Sequence, residues 1–188
     1  MNKKIYVKNM LERGGLSNRE LEMLEDQIGY ELPQDYRQFL LEVGGAGISE
    51  YEGFEVYPDA YFFKRKPEEI DPEWSHLVYI EEANDYAWVY RLFGFKGDEP
   101  DGGPDSIINA INLYGEYLEE MGEPAIWIGS SMRNGLFFIS LYEDDYGFIY
   151  YWDKARVFDC SSDESNVFFV AESFTDFLKM INKEADDK

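Results

Sequence analysis

The sequence predicts one domain of mixed helices and strands, and three stretches predict it. Leu32 to Val43, closed by Gly44-Gly45, carries one apolar face at helical spacing. Leu136 to Tyr142 and Phe148 to Trp152 are β-rich runs around the short polar link 143–147, the pattern of an antiparallel hairpin. Ser173 then caps a closing helix whose apolar face is Phe174, Phe177, Leu178 and Ile181. The chain has 188 residues, which fits a single domain over 1–182 with a frayed tail at 183–188.

Residues 1–15 read as a polar arm or short helix ending at Gly14-Gly15. The first clear helix follows. Ser17 is its N-cap and Glu20 stands three later, a capping box, with Leu16 and Leu21 as a hydrophobic staple. Leu21, Leu24 and Ile28 share one face, and Gly29 ends the helix. The second helix is Leu32 to Val43. Pro33 suits a first turn, and Asp35 places a negative charge at the positive end of the helix dipole. Tyr36, Phe39, Leu40 and Val43 form its apolar face, and Gly44 can take the left-handed conformation that stops it. The link Gly29-Tyr30-Glu31 is short, so the two helices should be neighbours.

Beyond Gly47 the pattern turns to β-type residues: Tyr51, Phe54, Val56, Tyr61, Phe62 and Phe63, broken by Gly53 and Pro58. Leu77 to Ile80 is a short strand, Trp88 to Phe95 a strand or packed loop, and Lys96 to Pro104 an acidic surface loop. Asp105 or Ser106 caps a third helix with the stripe Ile107, Ile111, Tyr114, Leu118, Met121. Gly115 inside it costs about 1 kcal/mol relative to alanine. Gly122 and Pro124 stop it. Ala125 to Ile128 is a buried strand type ended by Gly129, and Asn166 to Ala171 is a further strand after the hairpin.

Charge narrows the function. The chain has 39 acidic against 17 basic residues, a net −22. That disfavours direct binding of nucleic acid and of anionic membrane surfaces. It favours a basic protein partner, because complementary fields speed encounter and suppress wrong partners. No apolar run reaches the length of a membrane span, and no apolar stretch follows Lys3-Lys4, so a cytoplasmic protein without a signal peptide is expected. One cysteine, Cys160, rules out an internal disulfide and a cysteine zinc cluster.

Chemistry-bearing motifs are few. No Walker A loop, GxGxxG or GxSxG is present, and the single histidine, His76, has no ligand-type neighbour at metal spacing. No cofactor and no catalytic residue is expected. In the acidic loop, aligning Gly102 with the glycine of a calcium loop puts Gly97 and Ile108 where Asp and Glu are needed, so an EF-hand is excluded. Asp98, Glu99 and Asp101 therefore read as a solvated loop leading into a helix cap, as partner contacts, or as a weak cation site. Glu143, Asp144 and Asp145 at the hairpin tip serve as turn chemistry or as partner contacts. Of the nearby aromatics, Tyr146 is the candidate anchor and Trp152 is core.

The order of these parts resembles the SUKH superfamily, which includes yeast cell-wall regulators and many bacterial immunity proteins. The resemblance rests on Leu16 to Gly29, on Leu32-Pro33, Asp35-Tyr36, Phe39-Leu40 and Gly44-Gly45, on Ile126 to Gly129, on Gly147 to Asp153, and on Ser173-Phe174 with Phe177-Leu178. Residues 46–124 carry no such motif. The resemblance implies an α+β fold with helices packed on a mostly antiparallel, twisted sheet. It also implies a non-enzymatic role: binding and neutralising a cognate toxin, often a nuclease with a basic cleft. A regulatory or scaffold module without a toxin is the alternative. A carboxylate-dependent metal hydrolase is a third, disfavoured by the missing histidines.

Overall fold

Strand pairing dominates the architecture. The computed structural model describes residues 10–12, 14–48, 77–95, 106–121, 124–131, 135–154, 156–162 and 165–181. In chain order the elements are β1 (Met10–Glu12), α1 (Asn18–Ile28), α2 (Gln34–Glu42), β2 (Ala46–Ile48), β3 (Leu77–Ile80) and β4 (Asp85–Leu92). After these come α3 (Ile107–Met121), β5 (Ala125–Ser131), β6 (Leu136–Ser140), β7 (Ile149–Trp152), β8 (Val167–Ala171) and α4 (Phe174–Ile181). The sheet runs β1-β2-β4-β5-β6-β7-β8, with β3 paired separately to β4. All of these ladders are antiparallel. β3 also lies against β8, so the sheet curls into a nearly closed barrel. The α+β class and the single domain expected from the sequence are both present.

The serine caps of α1, α3 and α4 form as their residues dictate. Ser17 Oγ accepts the Glu20 N–H at 3.3 Å, and the Glu20 carboxylate accepts the Ser17 N–H at 2.8 Å. Gly29 ends α1 in the left-handed region. Ser173 Oγ accepts the Asp176 N–H at the start of α4. In α3 the cap is Ser106, whose hydroxyl accepts the Ile108 N–H. Pro33 stands at the N-cap of α2, just ahead of the first turn.

Side chains alternate across the strands, so the sheet has two faces. Phe137, Tyr151 and Phe168 belong to the face under α4, against which α2 packs in turn. Phe177 packs on Phe137 at 5.1 Å, and Phe174 sits 4.8 Å from Tyr36 and 4.9 Å from Phe39. Trp127, Phe138, Tyr150 and Trp152 lie on the opposite face. There α3 covers the Trp127 end, with Tyr117 4.6 Å from Trp152 and the Trp127 Nε1–H donating to Tyr114 O. Trp152 is core, as expected, and every residue of β6 is buried. Each large apolar side chain so enclosed contributes roughly 1.5–3 kcal/mol.

Two expectations are corrected. Residues 10–12 are not an arm or a helix but an edge strand, Met10 pairing opposite Ile48. That pairing is made by a distant segment, so no local periodicity announces it. Gly129 does not end β5; it lies inside the strand beside a bulge. A Cβ there would stand 2.5 Å from Arg91 O, so the glycine admits the backbone of β4. The β-type residues 51–63, the acidic loop 96–104, His76 and the tail 183–188 lie outside the described residues. Among the described residues, no helix is long and apolar enough to cross a membrane.

Candidate functional site

The link between β6 and β7 is a short 3-10 turn, Glu143–Asp145, and its three acids do different work. Asp145 is committed to the turn. Its carboxylate accepts hydrogen bonds from Ser140 Oγ and, at 2.7 Å, from the Tyr150 hydroxyl. Its carbonyl accepts the Phe148 N–H at 2.9 Å. Turn chemistry and loop position thus separate: Asp145 fixes the loop, while Glu143 and Asp144 are left exposed on it.

Tyr146 ties the tip to the helices. Its hydroxyl donates to Glu31 O at 2.8 Å, while its ring stays 44% exposed. Partial desolvation pushes its pKa up; Glu31, Glu25 and Asp35 push the same way and Arg37 opposes them. A Cβ added at Gly147 would stand 3.7 Å from Pro33, so the turn passes close to that residue. The hairpin tip therefore lies on the α1–α2 link. Across that link Arg37 of α2 is held by Glu31 at 2.8 Å and by Glu25 of α1 at 3.4 Å, and Glu25 also accepts the Leu32 N–H. The outcome is a surface where Glu143 and Asp144 are exposed next to Tyr146, whose hydroxyl reaches the backbone of the exposed Glu31.

Of the residues singled out in the sequence, the structure brings together Glu143, Asp144, Asp145 and Tyr146. Asp98, Glu99 and Asp101 lie outside the described residues. Glu31 was missed, because nothing local marks a residue as neighbour to one 115 positions away. So was Asp153, fully buried at the end of β7. Its carboxylate accepts the N–H groups of Val157 and Phe158 at 2.8 and 2.9 Å and the Ser161 hydroxyl. It organises the loop that leads to β8. Among the described residues, no group of three or more His, Cys, Asp or Glu side chains is arranged to hold a metal. Cys160 is exposed.

What the surface offers is carboxylate charge and aromatic area on a turn held from two sides, which suits recognition of a cationic partner. Comparison with known proteins finds a relative in Bacillus subtilis (strain 168), the SPbeta prophage-derived uncharacterized protein YokK. It is 27% identical over 163 residues, covering 86% of this chain and 72% of the relative. The model of the SMI1 / KNR4 family (SUKH-1) matches residues 15–180, running through the central stretch in which no motif was legible. The match begins just ahead of the α1 cap and ends within α4, and the chain belongs to the SMI1 / KNR4 family (SUKH-1).

Proposed function

We propose that this protein is a non-enzymatic immunity-type protein. It binds a cognate toxin domain, a nuclease, and blocks the basic active cleft with an acidic surface. One observation carries the reading: Glu143 and Asp144 are exposed on a turn pinned within the hairpin by Asp145 and against the α1–α2 link by Tyr146. Carboxylates so placed need little ordering on binding. The net charge of −22 supplies the field that steers a basic partner. Membership of a family that includes immunity proteins supports the role, and so does a relative described as prophage-derived.

The test is co-purification with the C-terminal domain encoded by the reading frame immediately upstream, followed by a toxicity assay. Capture with loss of toxicity is the expected result. The association rate should fall steeply with added salt, and Glu143→Gln with Asp144→Asn should lower it further. A rate indifferent to salt would overturn the electrostatic part. Absence of capture would move the assignment to a regulatory or scaffold module.

A further inference from the structure

The aromatic face that α3 covers does not stop where α3 stops. Register pairs carry it onward from Trp127 to Phe138, Phe138 to Tyr150, and Tyr150 to Phe169. Phe138 stacks on Tyr150 at 5.3 Å, Phe169 meets Tyr150 edge-on at 5.9 Å, and Phe148 lies 5.7 Å from Phe169. Exposure rises along this row, from 0% at Trp127 through 6% at Phe138 to 36% at Phe169.

Carboxylates bound the open end on two sides. Asp145 holds the Tyr150 hydroxyl, with the exposed Glu143 and Asp144 beside it in the turn. On the other side Glu82, from the β3–β4 turn, accepts the Phe169 N–H at 3.2 Å, and Glu81 next to it is exposed. The salt bridges of Arg37 and Lys179 do not involve these carboxylates. The protein's own cation–ring contacts in that set are Lys154 over Tyr114 and Arg91 over Tyr90, and none involves Phe148 or Phe169.

We infer that the Phe148–Tyr150–Phe169 platform, with Glu82 and the hairpin-tip carboxylates at its margins, seats an arginine of a basic protein partner. A guanidinium is flat and weakly hydrated, so it stacks on rings while its N–H groups reach flanking carboxylates. A lysine ammonium keeps its water and gains less from the rings. A purely apolar partner would leave the flanking carboxylates desolvated and unpaired. A nucleic acid, which could also stack, is repelled by the field. The inference rests on the binding role proposed above and adds the chemistry of the anchor.

The experiment measures binding of labelled octa-arginine and octa-lysine to the full chain by fluorescence anisotropy at low salt. Octa-arginine should bind about threefold or more tightly than octa-lysine, the scale of an exposed cation–π contact. Phe169→Leu, which keeps apolar area and removes the ring, should abolish that preference while a circular-dichroism melt shows the fold retained. Glu82→Gln should weaken octa-arginine binding. Equal binding of the two peptides, or a preference unchanged by Phe169→Leu, would overturn the inference. Capture of a toxin domain without arginine preference would remove this inference alone. Arginine preference through Phe169 without toxin capture would remove only the immunity role.

Discussion

The carboxylate of Asp35, in the first turn of α2, accepts the backbone N–H of Thr175 at 2.7 Å, 140 residues away in sequence. Thr175 is in the first turn of α4, whose leading N–H groups have no partner within the helix. Ser173 takes one of them and Asp35 another, which also sets a negative charge at the positive end of α4. The same contact draws Tyr36 and Phe39 against Phe174. Asp35→Ala should cost about 1–2 kcal/mol, the scale of a lost cap. At this chain length the melting temperature should drop by roughly 3–6 °C. Asp35→Asn, which keeps an acceptor, should lose less. Calorimetry or a thermal melt checks both.

Asp153 has no exposure, and its oxygens serve two backbone N–H groups and a serine hydroxyl. Asp153→Ala leaves those donors buried without an acceptor, which should cost about 3 kcal/mol. Urea denaturation would measure it. A loss below 1 kcal/mol would mean that water enters the loop and replaces the carboxylate.

Tyr36 presents the opposite situation. Its ring is fully buried, its hydroxyl has no hydrogen-bond partner among the described residues, and desolvation holds its pKa far above the ordinary range. Tyr36→Phe keeps the ring contacts and removes the unsatisfied group. The variant should be as stable as the parent or more so, by up to about 1 kcal/mol. A clear loss in the same denaturation assay would refute this.

Gly29 and Gly44 both end helices with positive φ, 76° and 73°, yet they should respond very differently. Around Gly29 a Cβ would meet nothing within 4 Å, so Gly29→Ala carries only the left-handed penalty of about 1–2 kcal/mol. At Gly44 a Cβ would stand 1.7 Å from Gly14 O, where backbone meets backbone and nothing flexible can yield. Gly44→Ala should cost about 4 kcal/mol or more and reduce soluble yield.

The capping box at α1 predicts a pH dependence. Backbone and hydroxyl hydrogen bonds from Ser17, in that order, hold the Glu20 carboxyl below its ordinary value against slight desolvation. A carboxyl lowered on folding stabilises above its unfolded pKa, and the effect fades as pH falls through the folded value. Glu20→Gln should therefore destabilise at neutral pH, where the carboxylate is charged, and much less at acid pH, where the parent's Glu20 is itself protonated. Asp176, held low first by Lys179 and then by Ser173, should behave likewise when it is replaced by asparagine. Paired melts at neutral and acid pH would show it; an equal loss at both would contradict the linkage.

The chain's own order of residues decided what a turn of backbone can reach. Ser17 with Glu20, Ser173 with Asp176, the stripes of α2, α3 and α4, and the β6–β7 hairpin all satisfy their groups within a few positions, so composition and spacing reveal them. At the candidate site the same locality exposed the acidic turn and the aromatic beside it. It did not reveal that Asp145 would be consumed by Ser140 and Tyr150 while Glu143 and Asp144 stayed exposed. Partners from distant segments were invisible: β1 against β2, Gly129 under Arg91, Asp35 on Thr175, Tyr146 on Glu31. Such contacts are set by where elements cross in space, as where the hairpin tip meets the α1–α2 link and β3 meets β8. A hydrogen bond there depends on where two backbones cross, and no periodicity in either segment encodes the crossing.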